Sequence, residues 1–143
     1  FNAIPQIDVF MDNDYTKEEM KMSWETKKIM GDDTILVNPT AVRVPVFFGH
    51  GEAIHIETRQ PIDAEEVKQL LANAPGVKVY ETREEFPTQV SSASGNDEVH
   101  VGRIRNDITH PNGINMWVVS DNIRKGAATN SVQIAETLVR DYL

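Results

Sequence analysis

The order of apolar and polar residues changes period several times along the chain, and each change predicts an element. Residues 1–15 are apolar first and acidic after, and "DND" at residues 12–14 reads as a turn. Thr16 has the form of a helix N-cap, and Glu19 three residues on completes a capping box. The helix so begun is predicted to run to about Met30 and to stop at Gly31. Residues 35–48 read as extended, with Val42, Val44, Val46 and Phe48 alternating onto one face. Pro39 and Pro45 each delete a ladder donor, so this strand is predicted to be bent or at an edge. "GHG" at residues 49–51 reads as a turn, and residues 52–59 as a second strand with Ile54 and Ile56 on one side, His55 and Glu57 on the other.

Helical spacing returns in "PIDAEEVKQLLANAPG", where Asp63 caps, Val67, Leu70 and Leu71 form the apolar stripe, and Gly76 ends the run. Residues 77–81 read as a short strand and the serine-rich residues 89–97 as a loop. Residues 99–106 and 114–121 are strands joined through the "HPNG" turn at residues 110–113. The end of the chain, residues 124–143, is predicted helical with Ile134, Leu138 and Tyr142 on one stripe. Strands linked by short turns, with helices set among them, predict an α+β domain on a mostly antiparallel sheet flanked by helices.

Composition narrows the function. A chain of 143 residues fits one domain with a real core, and 40% hydrophobic with 25% charged residues is ordinary for a globular protein. No apolar run approaches the ~18–20 residues that span a bilayer, so no membrane association is expected. A net charge of −8 repels phosphate backbones and argues against nucleic acid, while leaving room for a locally basic pocket. The chain has no cysteine, which removes disulfides, thiolate metal sites and a cysteine nucleophile from within it, and fits a reducing cytoplasmic setting. No histidine pair has metal-ligand spacing, and no metal is expected. The start at Phe1, without an initiating Met, has the look of a piece of a longer polypeptide.

Candidate chemistry gathers around His50, whose flanking glycines leave its imidazole open, although a lone histidine beside a glycine turn is more often a surface residue. Arg43 lies seven positions earlier. On a straight strand the two side chains would sit on opposite faces and ~23 Å apart. They share a site only if the chain folds back near Pro45 and Gly49, and the simple reading of Arg43 is a cross-strand ion pair. Glu18 and Lys21, spaced i, i+3, share a helix face, which spacing alone reads as an exposed ion pair. The sharper reading is a carboxylate for a substrate amine and a cation for a phosphate, close to a helix N-terminus where anions bind well. His55 and His100 read as paired sheet residues and His110 as exposed.

The stretches "FNAIPQIDVFMDNDYTKEEMKMSWETKKI", "VNPTAVRVPVFFGHGEAIHIETR", "VGRIRND" and "DNIRKGAATNSVQIAE" resemble the C-terminal domain of bacterial aspartate-semialdehyde dehydrogenases, and the likeness covers essentially the whole chain. The resemblance implies a substrate-binding and dimerisation domain of the glyceraldehyde-3-phosphate dehydrogenase-like kind. It also implies an NADP-dependent enzyme that interconverts aspartyl phosphate and aspartate semialdehyde in lysine, methionine and threonine biosynthesis, through a cysteine thioester. Carried over by position, His50 matches the catalytic acid/base and Arg43 the clamp on the substrate carboxylate. Glu18 matches the residue that binds the substrate amine, Lys21 the one that binds phosphate, and Asn122 an amide near the nicotinamide. A homodimer is implied as well.

Two positions depart from the family pattern: Ala41 stands where a cysteine is usual, and Gly51 where alanine or a small hydroxyl residue is usual. The resemblance places the nucleophilic cysteine and most of the dinucleotide-binding domain before Phe1. This chain alone is therefore expected to be inactive and to bind NADP weakly, with residues 125–143 forming a helix that packs on the nucleotide domain in the full enzyme. The alternative expectation is a non-catalytic or engineered interaction module that keeps only the fold and the dimer surface.

Overall fold

Thr16 closes its capping box as the sequence predicts in the computed structural model, which describes residues 1–143. Its hydroxyl accepts from the Glu19 amide at 3.3 Å, and Glu19 Oε2 accepts from the Thr16 amide at 2.8 Å. Amides that a helix start leaves without partners are thereby satisfied. Helix α1 (Lys17–Met30) ends at Gly31, which adopts φ 64°, a left-handed conformation that costs a glycine nothing. This helix belongs to the first of two units, Phe1–Pro45; the second is Val46–Leu143.

Within the first unit the chain ahead of α1 doubles back through a tight turn. The Lys17 amide donates to the Val9 carbonyl at 2.9 Å and the Met11 amide to the Tyr15 carbonyl at 2.8 Å. Ile4 and Arg43 exchange both of their backbone hydrogen bonds at 2.9 Å. The strand predicted over residues 35–48 does not form. Apart from the Ile4–Arg43 bridge the segment makes no ladder, and Val42, Val44, Val46 and Phe48 are all exposed. Two prolines without amide donors and the lack of a neighbouring strand outweigh the alternating pattern there.

The second unit is built on a four-stranded sheet of order β1-β4-β3-β2. Its strands are β1 (His50–Glu57), β2 (Val77–Val79), β3 (Val99–Asn106) and β4 (Gly113–Ser120). Strand β4 pairs antiparallel with β1 and β3, and only β2 runs parallel to its neighbour β3. The fold is thus the α+β arrangement on a mostly antiparallel sheet. Strand β1 begins two residues earlier than its sequence predicts: the chain bends at residues 47–48 rather than turning at 49–51, and His50 and Gly51 already pair with Ser120 and Val119.

Helix α2 (Ala64–Ala72) is capped by Asp63, which accepts from the Glu66 amide at 2.9 Å. It stops at Asn73, short of the predicted Gly76. Val67 and Leu71 pack with Ile54 and Ile62 against the buried Val101, Ile104, Ile114 and Met116, whereas Leu70 faces away at 59% exposure. Burial of these aliphatic groups, ~1.5–3 kcal/mol each when complete, is the main force holding the sheet and α2 together. The expected loop at residues 89–97 opens with a wide helical turn, Gln89–Ala93, whose hydrogen bonds span five residues. A second such turn, Arg124–Ala128, precedes helix α3 (Thr129–Tyr142), on which Ile134, Leu138 and Tyr142 are exposed. No helix is long and apolar enough to cross a membrane.

Candidate functional site

The first unit holds three of the predicted residues. Lys21 Nζ donates to Glu18 Oε2 at 3.0 Å within α1, both side chains being half-exposed. That hydrogen bond, with the charge behind it, raises the Lys21 pKa and keeps the ammonium charged. Beside them Glu19 is buried, and it does more than cap the helix. Its Oε1 accepts from the Ala41 amide at 2.8 Å while Oε2 stays on Thr16. Hydrogen bonds from the Thr16 and Ala41 amides hold its carboxyl below the usual range. The segment two residues ahead of Arg43 is thereby fastened to the first turn of α1. Arg43 is exposed and its guanidinium makes no hydrogen bond or ion pair within the chain, so the cross-strand ion pair expected of it is absent.

His50 and Asn122 belong to the second unit. His50 opens β1 with its side chain exposed and free of hydrogen bonds within the chain. Gly49 before it has φ 82°, and a Cβ there would lie 3.1 Å from the Ser120 carbonyl oxygen and 3.2 Å from Gln89 Cβ. A Cβ on Gly51 would lie 2.3 Å from Gln89 Nε2 and 2.9 Å from Trp117 Cζ2. Both glycines therefore admit Gln89 close to the backbone, and the Trp117 indole nitrogen donates to the Pro87 carbonyl at 3.0 Å, fixing that wall. Asn122 stands just beyond β4, and its Oδ1 accepts from the Gly49 amide at 3.0 Å.

Asp121, buried next to Asn122, holds the turn. It accepts from the Gly95 amide at 2.8 Å, the Ile123 amide at 2.9 Å and the Arg124 amide at 3.0 Å, contacts that keep its carboxyl below the usual range. Arg124 in turn makes a bidentate pair with Asp97, both contacts at 2.8 Å, and with the Thr129 hydroxyl this holds Asp97 down to about 2. Glu19 in the first unit, and Gln89 and Asp121 in the second, hold the segments beside the candidate residues and were missed by sequence reasoning. Only the capping-box spacing of Glu19 carried any signal.

The other histidines are structural. His55 contacts Asn115, Glu57 and Asp107. His100 is buried with Nδ1 3.3 Å from the Tyr80 hydroxyl, and burial pushes its pKa down. His110, expected to be exposed, is half-buried, and its Nδ1 accepts from the Asn112 amide at 3.2 Å because the turn folds the ring over the backbone. A cavity of about 420 Å³ lies on the sheet face of the second unit between Trp117, Gln89, Arg103 and Arg105. None of the five predicted residues lines it.

The family model described as semialdehyde dehydrogenase, dimerisation domain, matches residues 1–125, and the chain belongs to that family. The aspartate-semialdehyde dehydrogenase of Shewanella sp. (strain DB6705) is 69% identical over 142 residues, covering 99% of this chain and 42% of the relative. A crystal structure of aspartate semialdehyde dehydrogenase II from Vibrio cholerae superposes with a TM-score of 0.97 at 66% identity, covering 100% of this chain and 42% of that one, and the enzyme is also known complexed with ASA. The Candida albicans enzyme, solved with NADP, superposes at 0.77 with 30% identity, covering 96% of this chain and 44% of that one. The chain thus spans about 42% of the length of the relatives it matches most fully.

Proposed function

We propose that this chain is the substrate-binding and dimerisation part of an NADP-dependent aspartate-semialdehyde dehydrogenase whose nucleophile and nucleotide domain lie outside it. The observation that carries the reading is 69% identity to a dehydrogenase of that name across 99% of the chain.

The chemistry of the side chains fits. His50 is an imidazole open to solvent and free of partners, as an acid/base must be that takes a proton when a thiol attacks and returns it to the leaving group. The Arg43 guanidinium has both edges free for a bidentate grip on the substrate carboxylate. Glu18 offers a carboxylate to the substrate amine and Lys21 a lasting positive charge to phosphate. NADP supplies or takes the hydride when bound, and Asn122 Nδ2, which makes no hydrogen bond within the chain, is a donor available to its amide. The exposed stripe of α3 lies in the part of the chain beyond the residues matched by the family model, consistent with a helix that docks on the nucleotide domain. The family's description as a dimerisation domain supports a homodimer of the complete enzyme.

His50→Ala in the complete enzyme tests this reading. It is expected to lower turnover by ~10²–10⁴-fold while binding of substrate changes little. Near-normal turnover would remove the acid/base assignment.

A further inference from the structure

The candidate acid/base owes its place to a side chain that lies 72 residues further along the sequence. We propose that Asn122 is a positioning residue for His50, acting through the Gly49 amide rather than through direct contact with a ligand; the proposal rests on the reading of His50 as the acid/base. Strand β4 ends at Ser120, opposite His50, so the ladder stops there and gives the Gly49 amide no acceptor. Asn122 Oδ1 takes over as acceptor for the Gly49 amide at 3.0 Å. Because a backbone amide can only donate, the oxygen end of the Asn122 side chain must face it, and the assignment of the two amide ends is dictated.

Both partners in this contact are themselves constrained. Asn122 sits between Asp121, whose carboxylate collects three backbone amides, and Ile123, whose amide is one of them. Gly49 has a left-handed φ of 82° and is backed by the Ser120 carbonyl and Gln89. A residue at the end of a strand otherwise frays, and fraying at Gly49 would let the His50 backbone swing. An acid/base displaced by even an ångström loses much of its effect in the transition state while ground-state binding is spared. The contact therefore belongs to turnover and not to cofactor affinity.

The test compares Asn122→Ala, Asn122→Asp and Gly49→Ala in the complete enzyme. Asn122→Ala removes the acceptor and is expected to lower kcat about 10-fold with the KM for NADP within about 2-fold of the parent. Asn122→Asp keeps the acceptor oxygen and discards the donor, and is expected to recover most of that loss. Gly49→Ala reaches the same contact from the other side, so the double variant with Asn122→Ala is expected to be no worse than the poorer single one. An Asn122→Asp variant as slow as Asn122→Ala with a raised KM for NADP would overturn the proposal in favour of donation to the cofactor. Unchanged kcat in Asn122→Ala would overturn it too. Hydrogen exchange of the Gly49 amide in this chain provides a readout that does not depend on activity. Protection in the parent and its loss in Asn122→Ala support the contact even if His50→Ala proves active and the acid/base reading falls, whereas an unprotected Gly49 amide in the parent refutes it.

Discussion

Glu19 Oε1 accepts a hydrogen bond from the Ala41 amide at 2.8 Å, across 22 residues of sequence. With Oε2 on the Thr16 amide, one carboxylate joins the start of α1, the helix that carries Glu18 and Lys21, to the segment that leads into Arg43. Glu19→Ala strips the acceptor from two buried amides at once, which is dearer than losing a surface cap. It is expected to lower Tm by roughly 2–6 °C and, in the complete enzyme, to raise the KM for semialdehyde about 10-fold. Glu19→Gln keeps one acceptor oxygen and is expected to recover part of each effect. A Glu19→Ala protein with parental KM would show that Arg43 is placed without this tie.

Arg43→Leu tests the clamp itself. Losing a charge-assisted, bidentate contact is expected to raise the KM for semialdehyde by roughly 10–100-fold and to leave that for NADP nearly unchanged. Arg43→Lys keeps the charge without the fork and is expected to fall between the two. Equal effects on both Michaelis constants would remove the clamp role.

Gly51 and Gln89 form a steric pair. In Gly51→Ala the new methyl would meet Gln89 Nε2 at 2.3 Å and the Trp117 ring at 2.9 Å. The glutamine can swing away, but the indole, held by its hydrogen bond to the Pro87 carbonyl, cannot do so freely. Gly51→Ala is therefore expected to destabilise the chain by about 1–3 kcal/mol. Adding Gln89→Ala is expected to recover a part of this, leaving the share due to Trp117. Strict additivity of the two changes in urea unfolding would show that the side chains do not meet.

How far the sequence carries depends on how local the deciding force is. Helix α1 was legible at both ends, because Thr16, Glu19 and Gly31 act within one turn of themselves. Strand β3 was legible residue for residue, bounded by the loop and the turn beside it. Residues 35–48 misled, since alternation in Val42, Val44 and Val46 predicts a strand only where another strand is there to pair with it. The Glu19–Ala41 and Asn122–Gly49 contacts have no local signature at all, each joining segments far apart in sequence. The candidate residues were found through family resemblance, and periodicity alone would have left His50 a surface histidine.

Stability should also follow pH in two stages. Burial holds His100 neutral and pushes its pKa below the ordinary value near 6.5, so below that pH the unfolded chain binds more protons than the folded one. Its contribution is complete above about pH 6.5 and erodes as the pH falls. Asp97 and Asp107, both held down to about 2, contribute above their ordinary value of 3.8 and are lost as the pH drops from there toward 2. Thermal melts are expected to show a shallow fall below about pH 6.5 and a steeper one below about pH 4. His100→Phe is expected to abolish the first stage alone. An identical first stage in that variant would place its origin elsewhere.

The most direct test of the central claim is phosphate-dependent NADP reduction with aspartate semialdehyde, measured on this chain alone and again with the missing N-terminal portion of a close relative added. The chain has no cysteine, so it is predicted to be silent alone and active on mixing, with that activity abolished by His50→Ala. Activity from the chain alone would contradict the account, as would silence after mixing when the two pieces are shown to associate.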